Sequence, residues 1–429
     1  MYQKIFIALL FLTVLTLPFH ELLNSYSIIL LSISWLSLVI FQRAKLVSPF
    51  NTISLSLIGF YLLHVIGLIY TPSQKLPEAN FNLEVKMTFV IFPLILSSAS
   101  NLISKYFRKL LTTFAISCII ASFICVSNAV YKNYLLNQLK SFHTFYFTNH
   151  EFVNIINQHA SYFALYICFS IYIITYDFLK SKNKSTLTTK TIRLSSIFFL
   201  LLILTFAGSR MMLIGFIVCS FAGIFWYFYA IGRLLRGIIV GVLITSITVA
   251  VFFSNPGNIT RLKKIINYKG LYNDKGQYAH SGFQLRLNIW DCASELAQKK
   301  IFWGYGTGEA QTELTQCYRD KDYAALYYWV NIKKGPEFNA HNEFLQTTLT
   351  LGLLGLLTLI GILILFTYKV IVSRNYMGLS FIILFFFIMI TEAVFKTQKG
   401  VVFFNLFAMI TLTHSASYSA INYPNKKQN

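Results

Sequence analysis

Apolar stretches of bilayer-spanning length recur along this sequence and decide what the chain can fold into. Hydrophobic residues occupy 56% of its 429 positions, whereas charged residues occupy only 12%. A soluble domain carries roughly twice that share of charge, and a soluble core cannot bury so many consecutive apolar blocks. Lipid is the solvent that suits such blocks, and helices satisfy their backbone polar groups there. The sequence therefore predicts an all-α, polytopic membrane protein.

We place about twelve membrane-spanning helices along the chain, and several are shorter than the roughly 20 residues that a perpendicular span needs. The seventh and eighth predicted spans form one long apolar block, which we divide at Ala207-Gly208-Ser209-Arg210. The N-terminal apolar run has no small-residue cleavage site, so we interpret it as an uncleaved first span. The predicted spans are 4–19, 25–41, 52–70, 84–99, 107–129, 159–178, 192–207, 209–230, 235–254, 341–368, 377–395 and 400–416.

The distribution of basic residues predicts the orientation in the membrane. With the N-terminus in the cytoplasm, the predicted cytoplasmic segments hold 17 Lys and Arg, and the short outer segments hold 7. Cytoplasmic loops carry such an excess, so we expect both termini in the cytoplasm. Much of the formal charge of +21 is explained in this way, and no nucleic-acid partner is needed to account for it.

One polar segment is too long to be a plain connector and holds most of the acidic residues. Long loops of this kind tend to carry function. We therefore divide the chain into nine spans, a large periplasmic loop with short helices, three further spans and a cytoplasmic tail. These parts cover residues 1–254, 255–340, 341–416 and 417–429.

Two short elements are predicted inside the large loop. Apolar residues recur at helical spacing over 283–299, which indicates an amphipathic helix, and a glycine-rich turn follows at 304–308. Cys292 and Cys317 also lie in this loop and could pair if it faces an oxidising compartment. The four other cysteines fall in apolar blocks, where cysteine packs as a small hydrophobe. The apolar stripe of the predicted helix comprises Ile289, Trp290, Ala293, Leu296 and Ala297.

His341 is the first candidate for chemistry, because it lies where the large loop enters the tenth predicted span. An imidazole at that position reaches the aqueous compartment and accepts a proton near neutral pH. Downstream, Gly352 and Gly355 are expected to let another helix approach closely. The alternative is a histidine that only satisfies polar groups at a helix start, and position alone favours that alternative.

Two arginines are candidates for binding an anion. Arg210 interrupts a nearly continuous apolar block, which is costly unless the side chain faces a cavity or an anionic partner. A guanidinium binds phosphate through two parallel hydrogen bonds, although Arg210 could also simply extend to the membrane surface. Arg286 lies four residues before Trp290, so the two share a helix face. Its alternative is an ordinary solvated charge.

Three other features are weaker candidates. His159 opens the sixth predicted span on the same membrane face as His341, and Glu392 is an acid near the outer end of the eleventh, where it would orient or pair with a basic residue. Glu84 and Lys86 are candidates for an interfacial ion pair. The sequence has no clustered pair of acids spaced to hold a divalent ion, so a reaction without metal or cofactor is expected.

Four short elements follow one another along the chain, and together they resemble the O-antigen ligase and O-antigen polymerase superfamily. Their order, spacing and topology are typical of that family, with the best-matched part covering roughly 200–405. The elements are Ala207-Gly208-Ser209-Arg210; Arg286-Leu287-Asn288-Ile289-Trp290 with Gly304-Tyr305-Gly306-Thr307-Gly308; His341-Asn342-Glu343-Phe344-Leu345 with Gly352-Leu353-Leu354-Gly355; and Thr391-Glu392 with Gly400.

The resemblance implies a GT-C-like membrane glycosyltransferase of the bacterial inner membrane. Its donor would be a glycan on a polyprenyl diphosphate, and its acceptor a lipid A-core sugar or another glycan at the periplasmic face. Arg210 and Arg286 would bind the donor diphosphate, and His341 would assist deprotonation of the acceptor hydroxyl. We expect supporting positions at Trp290, Asn342, Glu392 and His159.

Several functions remain open at this stage. The leading hypothesis is an O-antigen ligase, with a polysaccharide polymerase of the same superfamily or a protein O-oligosaccharyltransferase as alternatives. The single dominant outer loop favours the ligase. A transporter is the alternative from another class, but the sequence lacks matching halves with broken helices, which many transporters show.

Overall fold

The computed structural model describes residues 1–43, 46–136, 144–181, 186–230, 232–266, 282–326 and 337–422. These residues fold into helices and turns, with no strand among them, so the all-α prediction is confirmed. We number the longer helices in chain order: α1 Tyr2–Thr16, α2 Glu21–Gln42, α3 Thr52–Ile66, α4 Leu76–Lys86, α5 Thr88–Ser98, α6 Phe107–Val130, α7 Ala160–Lys180, α8 Leu187–Ala207, α9 Arg210–Ala230, α10 Leu234–Phe253, α11 Pro256–Ile266, α12 Gly282–Lys299, α13 Ala310–Asp320, α14 Glu343–Val372, α15 Tyr376–Thr391 and α16 Gln398–Asn422.

Within the described ranges, eight helical segments are long and apolar enough to cross a membrane. Four shorter apolar helices, α1, α3, α15 and the first part of α16, lie where the other predicted spans were placed. The chain is therefore a multi-helix membrane protein, and its twelve-span count stays a prediction. The predicted tail is helical up to Asn422, and positions 423–429 lie outside the described residues.

The long apolar block is divided where the sequence predicted. Helix α8 ends at Ala207, and Gly208 adopts a left-handed conformation with φ 62°. Glycine takes this conformation without the steric cost that a Cβ imposes, which makes it a common helix terminator. A new helix then starts at Arg210, so the Arg210 side chain stands at a helix N-terminus rather than in the middle of a continuous span.

Phenylalanine fills the centre of the bundle, around α16. The rings of Phe114 and Phe407 lie 4.7 Å apart, and those of Phe403 and Phe407 lie 5.0 Å apart, measured between centroids. Aromatic pairs at such distances add to the packing energy. Every residue of α16 from Val401 to Thr411 is buried, so the last predicted span is a central helix enclosed by the others.

The predicted outer loop holds a small packed unit, called the outer unit below, which is built on α12 and α13. Helix α12 matches the predicted amphipathic helix, and it packs against both α13 and α14. The pairing of Cys292 with Cys317 was left open by the sequence; the structure forms it, with 5.9 Å between the Cα atoms. The other four cysteines are buried and unpaired, as predicted. Of the predicted loop, positions 267–281 and 327–336 lie outside the described residues.

Helix α14 is broken at Gly352, which has φ 65° and ψ −159°. The amide of Leu353 donates to the Ile301 carbonyl at 2.6 Å instead of continuing the helix, and the Leu349 carbonyl accepts from Tyr305 N at 2.7 Å. The 301–306 segment thus supplies the hydrogen bonds that the break removes, which any backbone at membrane depth requires.

The break turns the start of α14 toward α15. Helix α14 has 30 residues and α15 has 16, so straight antiparallel helices would differ in length by about 20 Å. Yet Asn342, just before α14, donates from Nδ2 to the carbonyl of Ile390 near the end of α15, at 3.0 Å. A sharp bend at Gly352 is what allows both ends to meet.

The expected role of Gly352 in helix–helix approach is wrong, and the atoms nearest to Gly355 do not belong to another helix either. A Cβ on Gly352 would lie 2.2 Å from the Phe302 carbonyl oxygen, so a loop backbone, not a helix, occupies that space. A Cβ on Gly355 would meet the side chain of its own helix neighbour Leu351 at 2.2 Å. Both glycines serve the break, which the sequence pattern did not indicate.

Gly352→Ala is expected to destabilise the protein by more than the strain of alanine at positive φ, which costs about 1–3 kcal/mol. The added Cβ would also strike the Phe302 carbonyl. The measurement is the midpoint of thermal unfolding in detergent. Gly361→Ala is the matched control, since it lies in the same helix and a Cβ there meets nothing within 4 Å. Equal midpoints for both variants would contradict the break as a structural requirement.

Candidate active site

The carboxylate of Glu392 joins three helices at one end of the bundle. Glu392 directly follows α15 and is 5% exposed. Arg286 Nη2 of α12 donates to its Oε1 at 3.1 Å, and His341 Nδ1 donates to its Oε2 at 3.1 Å. Ser161 Oγ of α7 also donates to Oε1, at 2.9 Å. One buried acid therefore fixes the relative positions of an arginine and a histidine from distant parts of the chain.

Glu392 is held in its charged form. Burial raises the pKa of its carboxyl, but the hydrogen bond from His341 and the neighbouring positive charges outweigh burial and bring the pKa to about 2. The carboxylate is therefore ionised at neutral pH. An ionised carboxylate can only accept hydrogen bonds, so the proton of a neutral His341 ring resides on Nδ1.

This contact leaves the other ring nitrogen of His341 with a lone pair. A histidine whose Nδ1–H is held by a carboxylate presents Nε2 as a base in a fixed orientation. The His341 side chain is 22% exposed, so it is accessible as well as anchored. Its backbone has φ 42°, an uncommon conformation that tends to occur at functional sites.

Asn342 fixes the backbone next to His341. Its Oδ1 accepts from Leu345 N at 3.0 Å and caps the N-terminus of α14, while its Nδ2 donates to the Ile390 carbonyl. The same side chain thus ties the start of α14 to the end of α15, two residues before Glu392. We interpret Asn342 as the residue that sets the register between the histidine and its carboxylate.

Arg210 and Arg286 lie close enough for their charges to interact. Among the described residues, three buried N–H groups of these arginines and of Trp290 find no acceptor: Arg210 Nη1, Arg286 Nε and the indole Nε1 of Trp290. Unsatisfied buried donors are rare and call for an explanation. Arg210 also stands at the N-terminus of α9, where free backbone amides and the helix dipole favour negative charge. The arrangement suits an anion with several oxygens.

His159 lies near this group without touching Glu392 directly. It caps α7, and its Nδ1 accepts from Ser161 N at 3.3 Å. Burial lowers the pKa of His159 even though the charge of Glu392 opposes the shift. His159 is therefore a neutral neighbour that helps to place Ser161, and Ser161 was not singled out by sequence reasoning.

A second polar cluster, also missed by sequence reasoning, supports the Glu392 segment. Glu343 is only 2% exposed; its Oε2 accepts from Phe395 N at 2.8 Å, and its Oε1 accepts from Thr347 Oγ1 at 3.0 Å. Since Phe395 lies three residues after Glu392 and Glu343 lies two residues after His341, this bond clamps the two catalytic candidates together. The only sign of this cluster in the sequence was an acidic residue directly after His341-Asn342. Acidic residues are common at helix starts because the helix dipole stabilises them there.

Two lysines border the same cluster, around a polar cavity of about 10 Å³, room for one water. Lys396 Nζ donates to Asn82 Oδ1 at 3.1 Å, and burial lowers the pKa of Lys396. The suggested surface ion pair of Glu84 with Lys86 is wrong, because Glu84 is exposed while Lys86 is buried and points to the Asn82 carbonyl. The sign in the sequence that Lys86 is buried was its position inside an apolar stretch.

Comparison with known families gives one match, in the central part of the chain. Residues 195–360 match the family model described as O-Antigen ligase. The match includes Arg210, Arg286 and His341, and it ends before Glu392. No curated protein matches the sequence. The resemblance drawn from the four short motifs is thereby confirmed at the level of the superfamily.

Proposed function

We propose that this chain is an O-antigen ligase, because residues 195–360 match the O-Antigen ligase family model. In this proposal a glycan is moved from polyprenyl diphosphate, such as undecaprenyl diphosphate, to a hydroxyl of a lipid A-core sugar. The reaction takes place at the periplasmic face of the bacterial inner membrane and serves lipopolysaccharide biosynthesis. The observation that carries the proposal is the buried carboxylate of Glu392, which holds His341 and Arg286 together.

His341 is the general base in the proposed reaction. Its Nε2 takes the proton of the acceptor hydroxyl while the hydroxyl oxygen forms a bond to the anomeric carbon of the donor sugar. The bond between that carbon and the diphosphate oxygen breaks, and its electron pair leaves with the polyprenyl diphosphate. Glu392 stays ionised and stabilises the protonated imidazole, as the orienting acid does in catalytic triads.

Arg210 and Arg286 bind the donor diphosphate. Three unsatisfied donors, Arg210 Nη1, Arg286 Nε and Trp290 Nε1, are available for diphosphate oxygens. Guanidinium groups stabilise the charge that grows on the leaving diphosphate as the glycosidic bond breaks. Arg286 also pairs with Glu392, so the carboxylate that orients the base positions one of the diphosphate ligands as well.

The disulfide supports the location of the site. Cys292 and Cys317 join the two helices of the unit that carries Arg286, and disulfides persist in oxidising compartments such as the bacterial periplasm. The 17 to 7 excess of basic residues on the predicted cytoplasmic segments supports the same orientation.

The test is transfer by purified protein, with polyprenyl-diphosphate-linked glycan as donor and lipid A-core as acceptor. Glycan-modified lipid A-core, seen by gel shift and mass spectrometry in the presence of chelator, is the expected product. A longer lipid-linked glycan with unmodified lipid A-core would instead identify a polymerase. Transfer that appears only with added divalent ions would contradict the expected metal independence. No transfer with folded protein and several donors would overturn the enzyme assignment.

A further inference from the structure

The turn after α12 comprises Ile301, Phe302 and Trp303, and its two aromatic side chains are exposed. We call these three residues the aromatic tip. Phe302 is 67% exposed and Trp303 is 68% exposed. Large aromatic side chains rarely stand this far out unless something covers them. None of the roles proposed above for the outer unit uses this tip.

The backbone of the tip is fixed, so its exposure is not a consequence of a loose loop. The Ile301 carbonyl accepts from Leu353 N at 2.6 Å, and the Trp303 carbonyl accepts from Tyr70 Oη at 3.0 Å. Gly304, directly after the tip, packs so closely on α14 that a Cβ would lie 2.7 Å from Gly352 N. Three contacts thus hold the backbone of the tip against α14 and the turn after α3, while the side chains of Phe302 and Trp303 are exposed.

The length of α14 beyond its break indicates where a bilayer spanned by this helix would end. The part after Gly352 runs to Val372, and its roughly 20 residues are about 30 Å long, the thickness of the hydrocarbon core. The tip packs against the Gly352 end of this part of α14. Directly below it, Leu354 and Leu357 are 49% and 57% exposed, as lipid-facing side chains are.

The sequence around the tip has the chemistry of a membrane interface. Lys299 and Lys300 precede it and are exposed, and Lys300 Nζ lies over the Tyr305 ring at 4.3 Å from its centroid. Basic side chains placed beside aromatic ones suit lipid phosphates above and acyl chains below. On the neighbouring turn after α3, Ile69 is 82% exposed and extends the apolar surface.

We propose that the aromatic tip inserts into the phospholipid leaflet on the side of the Glu392 site and anchors the outer unit to the membrane surface. The tip directly follows α12, the helix that carries Arg286. Anchoring therefore sets the height of Arg286 above the bilayer. If the proposed function is correct, that height matches the headgroup position of a lipid-linked diphosphate; insertion itself does not depend on that function.

The test is quenching of tryptophan fluorescence by brominated phospholipids in nanodiscs. The chain has five tryptophans, and three single-tryptophan proteins are compared, keeping Trp303, Trp226 or Trp290. Trp226 is the lipid-exposed reference at 58% exposure, and Trp290 is the partly buried reference on the same outer unit. The fluorescence difference between wild type and Trp303→Phe measures the same quantity with the other four tryptophans in place.

Trp303 is expected to lose as much fluorescence as Trp226, and clearly more than Trp290, when ordinary lipids are replaced by brominated ones. Quenching no greater than that of Trp290 would overturn the proposal. Disulfide crosslinking between copies of Phe302→Cys in the same nanodiscs would overturn it too, because a second copy would then cover the tip. Neither readout requires turnover, so failure of the ligase assignment would not be mistaken for failure of the anchor.

Discussion

His341→Ala is expected to lower the rate of glycan transfer by about 10²- to 10⁴-fold, the range that general base catalysis contributes. The physical reason is the loss of Nε2, which the hydrogen bond of Nδ1 to Glu392 at 3.1 Å holds in a fixed orientation. The measurement is initial transfer rate with purified protein at saturating donor, with the amount of folded protein checked by size-exclusion chromatography.

A control and a second variant separate chemistry from folding. His20→Asn retains a side chain able to cap α2, where His20 acts in the structure, and it is expected to leave the rate unchanged. His341→Gln preserves a hydrogen bond to Glu392 but has no basic nitrogen, so it should be as slow as the alanine variant. A His341→Gln protein with nearly full activity would rule out the histidine as the base.

Arg210→Ala is expected to reduce the maximal transfer rate by about 10²- to 10³-fold, the usual cost of removing one group that stabilises developing negative charge. Arg210 stands at a helix N-terminus beside Arg286, and its Nη1 finds no acceptor among the described residues. Its removal takes away charge at the diphosphate without breaking a hydrogen bond to Glu392. The measurement is the rate as a function of donor concentration.

Arg233→Ala is the matched control for Arg210. Arg233 is exposed and lies beyond the opposite end of α9, so removing its charge leaves the proposed diphosphate site intact. The control should retain the wild-type rate. A similar loss in both variants would show that general charge or stability, rather than the position of Arg210, limits transfer.

Much of the fold could be predicted because hydropathy acts locally. Among the described residues, eight helical segments are long enough to cross a membrane and four shorter apolar helices lie at the other predicted spans. The break at Gly208 follows from a glycine two residues before an arginine in an apolar block. The break at Gly352 could not be predicted in the same way. Its cause is hydrogen bonding with the 301–306 segment, roughly 50 residues away along the chain, and a glycine in a helical pattern gives no sign of that partner.

The site shows the same division between local and distant information. Motif order indicated Arg210, Arg286 and His341 individually, and the sequence suggested that Glu392 orients or pairs with a basic residue, but it did not indicate which residues Glu392 holds. Glu392 lies 106 residues from Arg286 and 51 residues from His341, and its pairing depends on helix packing. Glu343 was overlooked because an acid at a helix start is ordinary on a soluble surface, whereas here it is buried against a backbone amide.

The central claim is that the arginines bind the donor diphosphate while His341 acts only on the acceptor. The most direct measurement is equilibrium binding of glycan-free polyprenyl diphosphate to wild type, His341→Ala and Arg210→Ala in detergent. We predict unchanged affinity for His341→Ala and a loss of about tenfold or more for Arg210→Ala, since a charge-assisted hydrogen bond contributes about 1.5–3 kcal/mol. Unchanged binding by Arg210→Ala, or a comparable loss with His341→Ala, would contradict this division of roles.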